Sequence, residues 1–144
     1  MICLMILMAA AFTSFSQLRK VPSEVTNALK EKYPGAQSVE WKDKLTYFEA
    51  SFTLDGKEMS ADFSNQGEWQ ETDKKMDFAD LPAAVKDGFQ KSKYADWTPG
   101  SVTMIEKNDK SIQYKVYAEK SSIIQKRFLY FSADGQLLKE APGI

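Results

Sequence analysis

An α+β fold, in which a helix followed by an antiparallel meander occurs twice and both helices pack on one face of a shared antiparallel sheet, follows from the way this sequence repeats itself. Val21-Pro22 with Val25 and Leu29 returns as Leu81-Pro82 with Val85 and Phe89, an offset of 60 residues. Phe63-Ser64-Asn65-Gln66-Gly67-Glu68-Trp69 returns as Phe131-Ser132-Ala133-Asp134-Gly135-Gln136-Leu137, an offset of 68. Self-similarity of this kind marks a tandem duplication of a supersecondary unit. Within each copy the apolar period changes from helical to two. One helix can cover only one face of a small sheet, so the two copies are expected to share a single continuous core. The other face of the sheet is then open to solvent or to a partner.

The first sixteen residues, Met1 to Ser16, carry no charge and are dominated by apolar side chains. They read as a secretory signal peptide cleaved after Ser16, leaving residues 17–144 as one domain made of repeats over about 21–72 and 80–140. The apolar run from Ile2 to Phe15 falls short of the roughly 20 residues that span a bilayer, so no permanent membrane span is expected. No Lys or Arg follows Met1, which fits a start codon upstream of it. Cys3 has its apolar segment behind it rather than before it, the reverse of a lipoprotein attachment site. The chain is therefore expected in the periplasm or outside the cell.

In the first copy Val25, Ala28, Leu29 and Tyr33 form an amphipathic stripe from Pro22 to Tyr33, with Pro34-Gly35 as the stop. Leu81, Val85, Gly88 and Phe89 repeat it after Pro82, with Asp80 placed to cap. Ala28 and Gly88, related by the same offset, predict a close approach of each helix to the sheet. Phe48, Ala50, Phe52 and Leu54 then alternate with polar residues up to Asp55-Gly56, a strong hairpin signal. Met59, Ala61 and Phe63 make the returning strand. Ile112, Tyr114, Val116 and Ala118 form the matching face of the second copy, followed by a strand over about Ile123 to Phe131 and the Asp134-Gly135 turn. The polar stretch from Glu71 to Asp77 reads as the linker between copies.

Composition removes several chemistries. There is no histidine, and Cys3 is the only cysteine. Cys/His zinc sites, Ser-His-Asp triads and Cys-His dyads therefore cannot be built within the chain. No phosphate-cradling loop occurs among the seven glycines, and no EF-hand pattern among the carboxylates. A net charge of −1, from 19 basic and 20 acidic residues, leaves no footprint for nucleic acid. No catalytic residue, metal ligand or cofactor is expected. Asp55, Asp109 and Asp134 belong to turns.

The candidate recognition residues lie on the face that alternation turns away from the helices. Tyr47, Glu49, Ser51 and Thr53 occupy it on one strand of the first copy, and Ser60 and Asp62 on the next. In the second copy the face carries Tyr117, then Phe128 and Tyr130 where the 68-residue offset places Ser60 and Asp62. Exposed aromatics on a rigid sheet supply contact area at small entropic cost. The other reading of Phe128-Leu129-Tyr130-Phe131 is a strand covered on both faces. Trp41 and Trp97, just beyond the helices, are further candidates for contact with a partner, whereas Trp69 reads as packing.

The paired pattern Val/Leu-Pro-x-x-Val-x-x-x-Leu/Phe, followed by strands and a Phe-Ser-x-x-Gly turn behind a leader, resembles the PepSY-like, beta-lactamase-inhibitor-like proteins exported by Bacteroidetes-type bacteria. The resemblance covers roughly Val21 to Glu140. It implies a fold similar to the beta-lactamase inhibitory protein and a non-enzymatic role: binding, inhibiting or regulating an envelope peptidase or related enzyme. The chain departs from the inhibitory protein in lacking its disulfides. A small-ligand sensor or carrier is the alternative, and an enzyme working through carboxylates alone a third.

Overall fold

Pro22 and Pro34-Gly35 bracket the first helix, α1 (Ser23–Lys32), whose buried stripe is Val25 and Leu29. Pro22 is the N-cap and suits that place because it has no N–H to leave unpaired. Four strands follow: β1 (Gln37–Asp43), β2 (Tyr47–Leu54), β3 (Lys57–Ser64) and β4 (Trp69–Met76). The order then recurs as α2 (Ala83–Lys91), β5 (Thr98–Lys107), β6 (Ile112–Lys120), β7 (Gln125–Ser132) and β8 (Leu137–Pro142). All eight strands form one antiparallel sheet in chain order. The computed structural model describes residues 19–144, so the segment Met1–Ser16, expected to be a leader, lies outside the described residues.

The stretch expected to be a linker is a strand. Residues 71–76 belong to β4, which pairs with β3 on one side and with β5 on the other, from Glu71↔Lys107 to Met76↔Val102. Its period-two signal is faint because both of its faces are polar. Thr72 is nonetheless buried, 3% exposed, with its Oγ1 2.6 Å from Tyr33 Oη and accepting a hydrogen bond from Trp69 Nε1 at 2.8 Å. A hydroxyl with these partners can be buried at little cost.

Register carries one face across the whole sheet: Ala61 pairs with Thr72, and Met76, four residues further along β4, pairs with Val102. Both helices therefore cover the same side. The buried side chains beneath them form two clusters rather than the single continuous core expected. Val25, Leu29, Phe48, Ala50, Phe52, Ala61 and Phe63 make the first. Leu81, Val85, Phe89, Tyr94, Val102, Tyr114, Val116, Ala118, Leu129 and Phe131 make the second, with Met76 of β4 packed against it. Each helix is too short to reach across the polar β4, so each half buries its own apolar face.

The repeated Phe-Ser-x-x-Gly phrases fold into matching turns. Ser64 N–H donates to Glu68 O at 2.8 Å and Ser132 N–H to Gln136 O at 2.9 Å. The serine Oγ accepts from the backbone N–H of Glu68 at 3.1 Å in one turn and of Gln136 at 3.0 Å in the other. Gly67 and Gly135 sit at φ 86° and 88°, where a side chain would be strained. The helices approach these turns closely. A Cβ on Gly88 would lie 2.0 Å from Gly135 O, and one on Gly67 2.6 Å from Glu24 O.

Two local expectations are corrected. Asp80 does not cap α2; it belongs to a 3-10 turn over Phe78–Asp80, and the N-cap is Pro82 with no side-chain bond. The strand expected from Ile123 begins instead at Gln125. Ile123 and Ile124 form the hairpin tip, 54% and 86% exposed, and Ile124 takes φ 47°. Two β-branched residues read as strand, but β6 and β7 need a wider turn at this point than Asp55-Gly56 provides between β2 and β3.

Leu29→Ala and Phe89→Ala should each cost about 2–5 kcal/mol in urea unfolding, the range for truncating buried core residues. Gly88→Ala should also destabilise, although alanine is the better helix former by about 1 kcal/mol, because the added methyl meets backbone. A rise in stability for Gly88→Ala would contradict the close helix–turn contact.

Candidate functional site

The face without helices presents two chemically distinct halves. On β6 and β7, Tyr117 and Phe128 are direct cross-strand partners with ring centroids 5.6 Å apart, and Tyr130 follows two residues along β7. All three are half-buried, while Leu129 and Phe131, which alternate with Phe128 and Tyr130 along β7, are fully buried in the second core. The strand is thus covered on one face only. Tyr47 shares the open face but sits on β2, separated from the other three by β3, β4 and β5.

The tryptophans belong to the opposite side. Trp41 pairs with Ala50 and packs against the first core, 6.2 Å from the Phe63 ring. Trp97 stacks edge-on against Tyr94 at 4.9 Å in the second core. Neither joins the open-face aromatics, and both owe their place to helix-side packing. Trp69 packs as expected.

Across β2, β3 and β4 the same face carries a row of carboxylates. Glu49 pairs with Asp62, which pairs in turn with Glu71, and Asp73 follows Glu71 on β4. Like charges directly opposite each other oppose folding. The available lysines compensate only the ends of the row: Lys44 Nζ is 3.8 Å from Glu49 and Lys107 Nζ 4.0 Å from Glu71. Asp62 and Asp73 form no ion pair among the described residues. Asp73 Oδ1 is shielded from water with no hydrogen-bond partner.

Electrostatics follow from this placement. Burial first, then the charges of Glu49, Glu71 and Asp73, pushes the Asp62 carboxyl up to about 7. Burial and Glu71 push Asp73 up to about 6, with Lys115 acting in the opposite sense. Tyr130 is also raised, by burial and then by Asp73 and Glu71, with which it lines one depression. At the far edge, Arg19 donates to both carboxylate oxygens of Asp43 at 2.5 and 2.7 Å, and this pairing holds Asp43 down at about 2.

The equivalent positions of the second half have the opposite character. Where Glu49, Asp62 and Glu71 line up in the first half, Lys115 pairs with Tyr130 and Tyr130 with Lys139 in the second. Lys115 Nζ lies 5.6 Å from the Phe128 ring and Lys139 Nζ 5.1 Å from that of Tyr130. Two open depressions mark the face, of 330 Å³ beside β2 and β3 and 390 Å³ toward β7 and β8. Asp73 lines both. Ile105, on this face yet only 5% exposed, lies beneath its neighbours at the floor of the second depression. No group of three potential metal ligands occurs among the described residues.

Sequence reasoning recognised Glu49 and Asp62 as outward-facing but missed the row, because Glu71 and Asp73 were assigned to a linker. The two-residue hairpin at Asp55-Gly56 already determines that Glu49 faces Asp62. The continuation to Glu71 requires recognising β4, whose bulge opposite Asp62 and Phe63 shifts the register.

The chain belongs to the family described as "Putative beta-lactamase-inhibitor-like, PepSY-like", which matches residues 46–139. Solved structures extend the likeness to the whole fold. A BLIP-like protein from Bacteroides fragilis is 30% identical, with a TM-score of 0.78 over 88% of this chain and 89% of that one. A DUF2874 family protein from Bacteroides ovatus is 26% identical, with a TM-score of 0.81 over 86% and 89%. A protein from Bacteroides eggerthii described as a putative periplasmic protein is 24% identical, with a TM-score of 0.81 over 86% and 90%, and shares the fold. No curated protein matches the sequence. Among the described residues no helix is long and apolar enough to cross a membrane.

The raised carboxyls make a signed prediction. A group whose folded value lies above its unfolded one binds more protons in the folded state, so its contribution to stability falls as pH rises between the two values. For Asp62 and Asp73 the window runs from about 4 to about 7. Asp62→Asn and Asp73→Asn should therefore raise the melting temperature at pH 8 by on the order of a few degrees and change it little at pH 4. Scanning calorimetry at the two pH values checks this, and equal shifts at both would contradict the assignment.

Proposed function

We propose that the chain is an exported, non-enzymatic binding protein that inhibits or regulates a protein of the cell envelope or its surroundings, and that it does so through the open face of the sheet. The observation that carries this reading is the cluster of Tyr117, Phe128 and Tyr130, half-exposed on a rigid sheet face that no helix covers. Tyrosine and other aromatics dominate binding hot spots because they bring large area and few rotatable bonds. Membership of an inhibitor-like family supports the class of function. The B. fragilis BLIP-like neighbour supports it in the same sense.

Export rests on the uncharged apolar leader Met1–Ser16, removed at Ser16, with the periplasmic description of the B. eggerthii neighbour in support. The non-enzymatic reading rests on the inventory: no histidine, and no cysteine after Cys3. The small-ligand alternative would need an enclosed pocket, and the depressions on the face are open ones.

Tyr130→Ala tests the surface. A partner captured from a Bacteroides envelope extract by the unaltered chain should lose at least about tenfold in affinity for the variant, while the melting temperature moves little because Tyr130 is only half-buried. A large drop in melting temperature with binding retained would place the site elsewhere. Direct assay against purified beta-lactamases, with hydrolysis as readout, asks whether that enzyme class is a target.

A further inference from the structure

The open face is charged in a way that a plain solvated sheet face does not need. Glu49, Asp62 and Glu71 stand directly opposite one another on three successive strands, an arrangement that costs stability. The protein's own lysines reach the outer members of the row and leave Asp62 and Asp73 unpaired among the described residues. Asp73 Oδ1 is a shielded acceptor without a donor, and a buried unsatisfied acceptor gains most from any donor that arrives. The equivalent row of the second half, Lys115-Tyr130-Lys139, is basic. A face with one acidic and one basic half favours one orientation of a partner over its reverse.

Resting on the reading of this face as the binding surface, we infer that the partner is a protein that seats an arginine against Asp62 and Asp73, with apolar side chains beside it on Tyr130 and Phe128. The guanidinium fits for three reasons. Its forked donors match a carboxylate and can satisfy Asp73 Oδ1. Its flat faces stack on aromatic rings, and Tyr130 lines the same depression as Asp73. Its charge would offset the repulsion along the row. Asp73 lines both depressions, so one side chain placed there lies between them. Ile105 lines the second depression with Asp73 and Tyr130, a hollow that a protruding side chain of a partner can enter.

The attraction is sensitive to pH. Asp62 faces Glu49, Glu71 and Asp73, with Lys44 and Tyr47 nearby on the first-half side; Asp73 faces Glu71, which also favours its protonated form through a side-chain hydrogen bond, and Lys115 and Glu49, with Tyr130 beyond. Carboxyls raised to about 7 and about 6 are charged at pH 8 and largely neutral at pH 5, so the preference for a cation weakens as pH falls.

Two capped peptides test the idea: acetyl-Leu-Arg-Leu-amide, and the same peptide with citrulline, which keeps the shape of arginine and removes its charge. Each is titrated into the 15N-labelled full chain at low salt. The arginine peptide should bind about tenfold more tightly at pH 8 and shift the amides of β3 and β4 around Asp62 and Asp73. Its advantage should shrink severalfold at pH 5, and also in the Asp62→Asn/Asp73→Asn double variant, whose fold is checked by its melting temperature. Equal affinities for the two peptides on this face overturn the inference and leave the open-face reading standing. Shifts elsewhere, or none, overturn the inference as well; the open-face reading is then decided separately by partner loss in Tyr130→Ala. Sedimentation velocity is run on the same samples. A dimer that forms at pH 8 and low salt and is lost in the double variant would assign the acidic row to a second copy and overturn the inference.

Discussion

The pairing of β4 with β5 is the constraint on which the rest of the molecule depends. Each half buries its own helix on its own strands, and the two cores are separate clusters. What joins them is a six-residue ladder from Glu71↔Lys107 to Met76↔Val102, with Met76 reaching from one half into the core of the other. That ladder brings the two open half-faces into one surface. Without it, the acidic row and the aromatic cluster would belong to two small sheets with no defined relation.

The ladder explains why so polar a segment sits in the middle of a sheet. Glu71 and Asp73 point to the open face, and Thr72 points under α1, where Tyr33 and Trp69 engage its hydroxyl. In the equivalent place of the second half stands Glu140, which accepts a hydrogen bond from Tyr94 at 2.6 Å. Both halves thus tether the region after the helix to their fourth strand through a tyrosine hydroxyl, with a different partner in each. In an interior strand the backbone groups are satisfied by neighbours on both sides, and side chains are then free to be polar wherever one face meets water.

Much of the fold was legible because it is local. Pro22, Pro34-Gly35 and Pro82 bound helices through backbone chemistry that needs no tertiary context, and Asp55-Gly56 and the two Phe-Ser-x-x-Gly phrases specify turns within a few residues. The open-face positions of Tyr47, Tyr117, Phe128 and Tyr130 followed from alternation once those turns were placed. What was not legible depends on contacts distant in sequence. Polar β4 looks like a linker until β5 lies beside it. Trp41 looks free until Phe63 and the first core come within reach. The acidic row beyond Glu49 and Asp62 could not be read without recognising β4 and its register across the bulge at Asp62 and Phe63.

Comparison of the halves separates what the backbone requires from what the surface expresses. Gly67 and Gly135 occupy equivalent left-handed positions, and Phe63 and Phe131 are both fully buried. On the open face the correspondence breaks: Ser51 and Ser60 face each other in the first half where Tyr117 and Phe128 do in the second, and Glu49 with Asp62 gives way to Lys115 with Tyr130. None of these exchanges disturbs either core, since all lie on the side away from the helices. The open face is therefore the part of the molecule free to vary without unfolding it. Its unpaired carboxyls impose a stability cost that the turns and cores do not require. A cost confined to one exposed face, on a scaffold that folds without it, is the physical signature expected of a surface shaped by contact with something else.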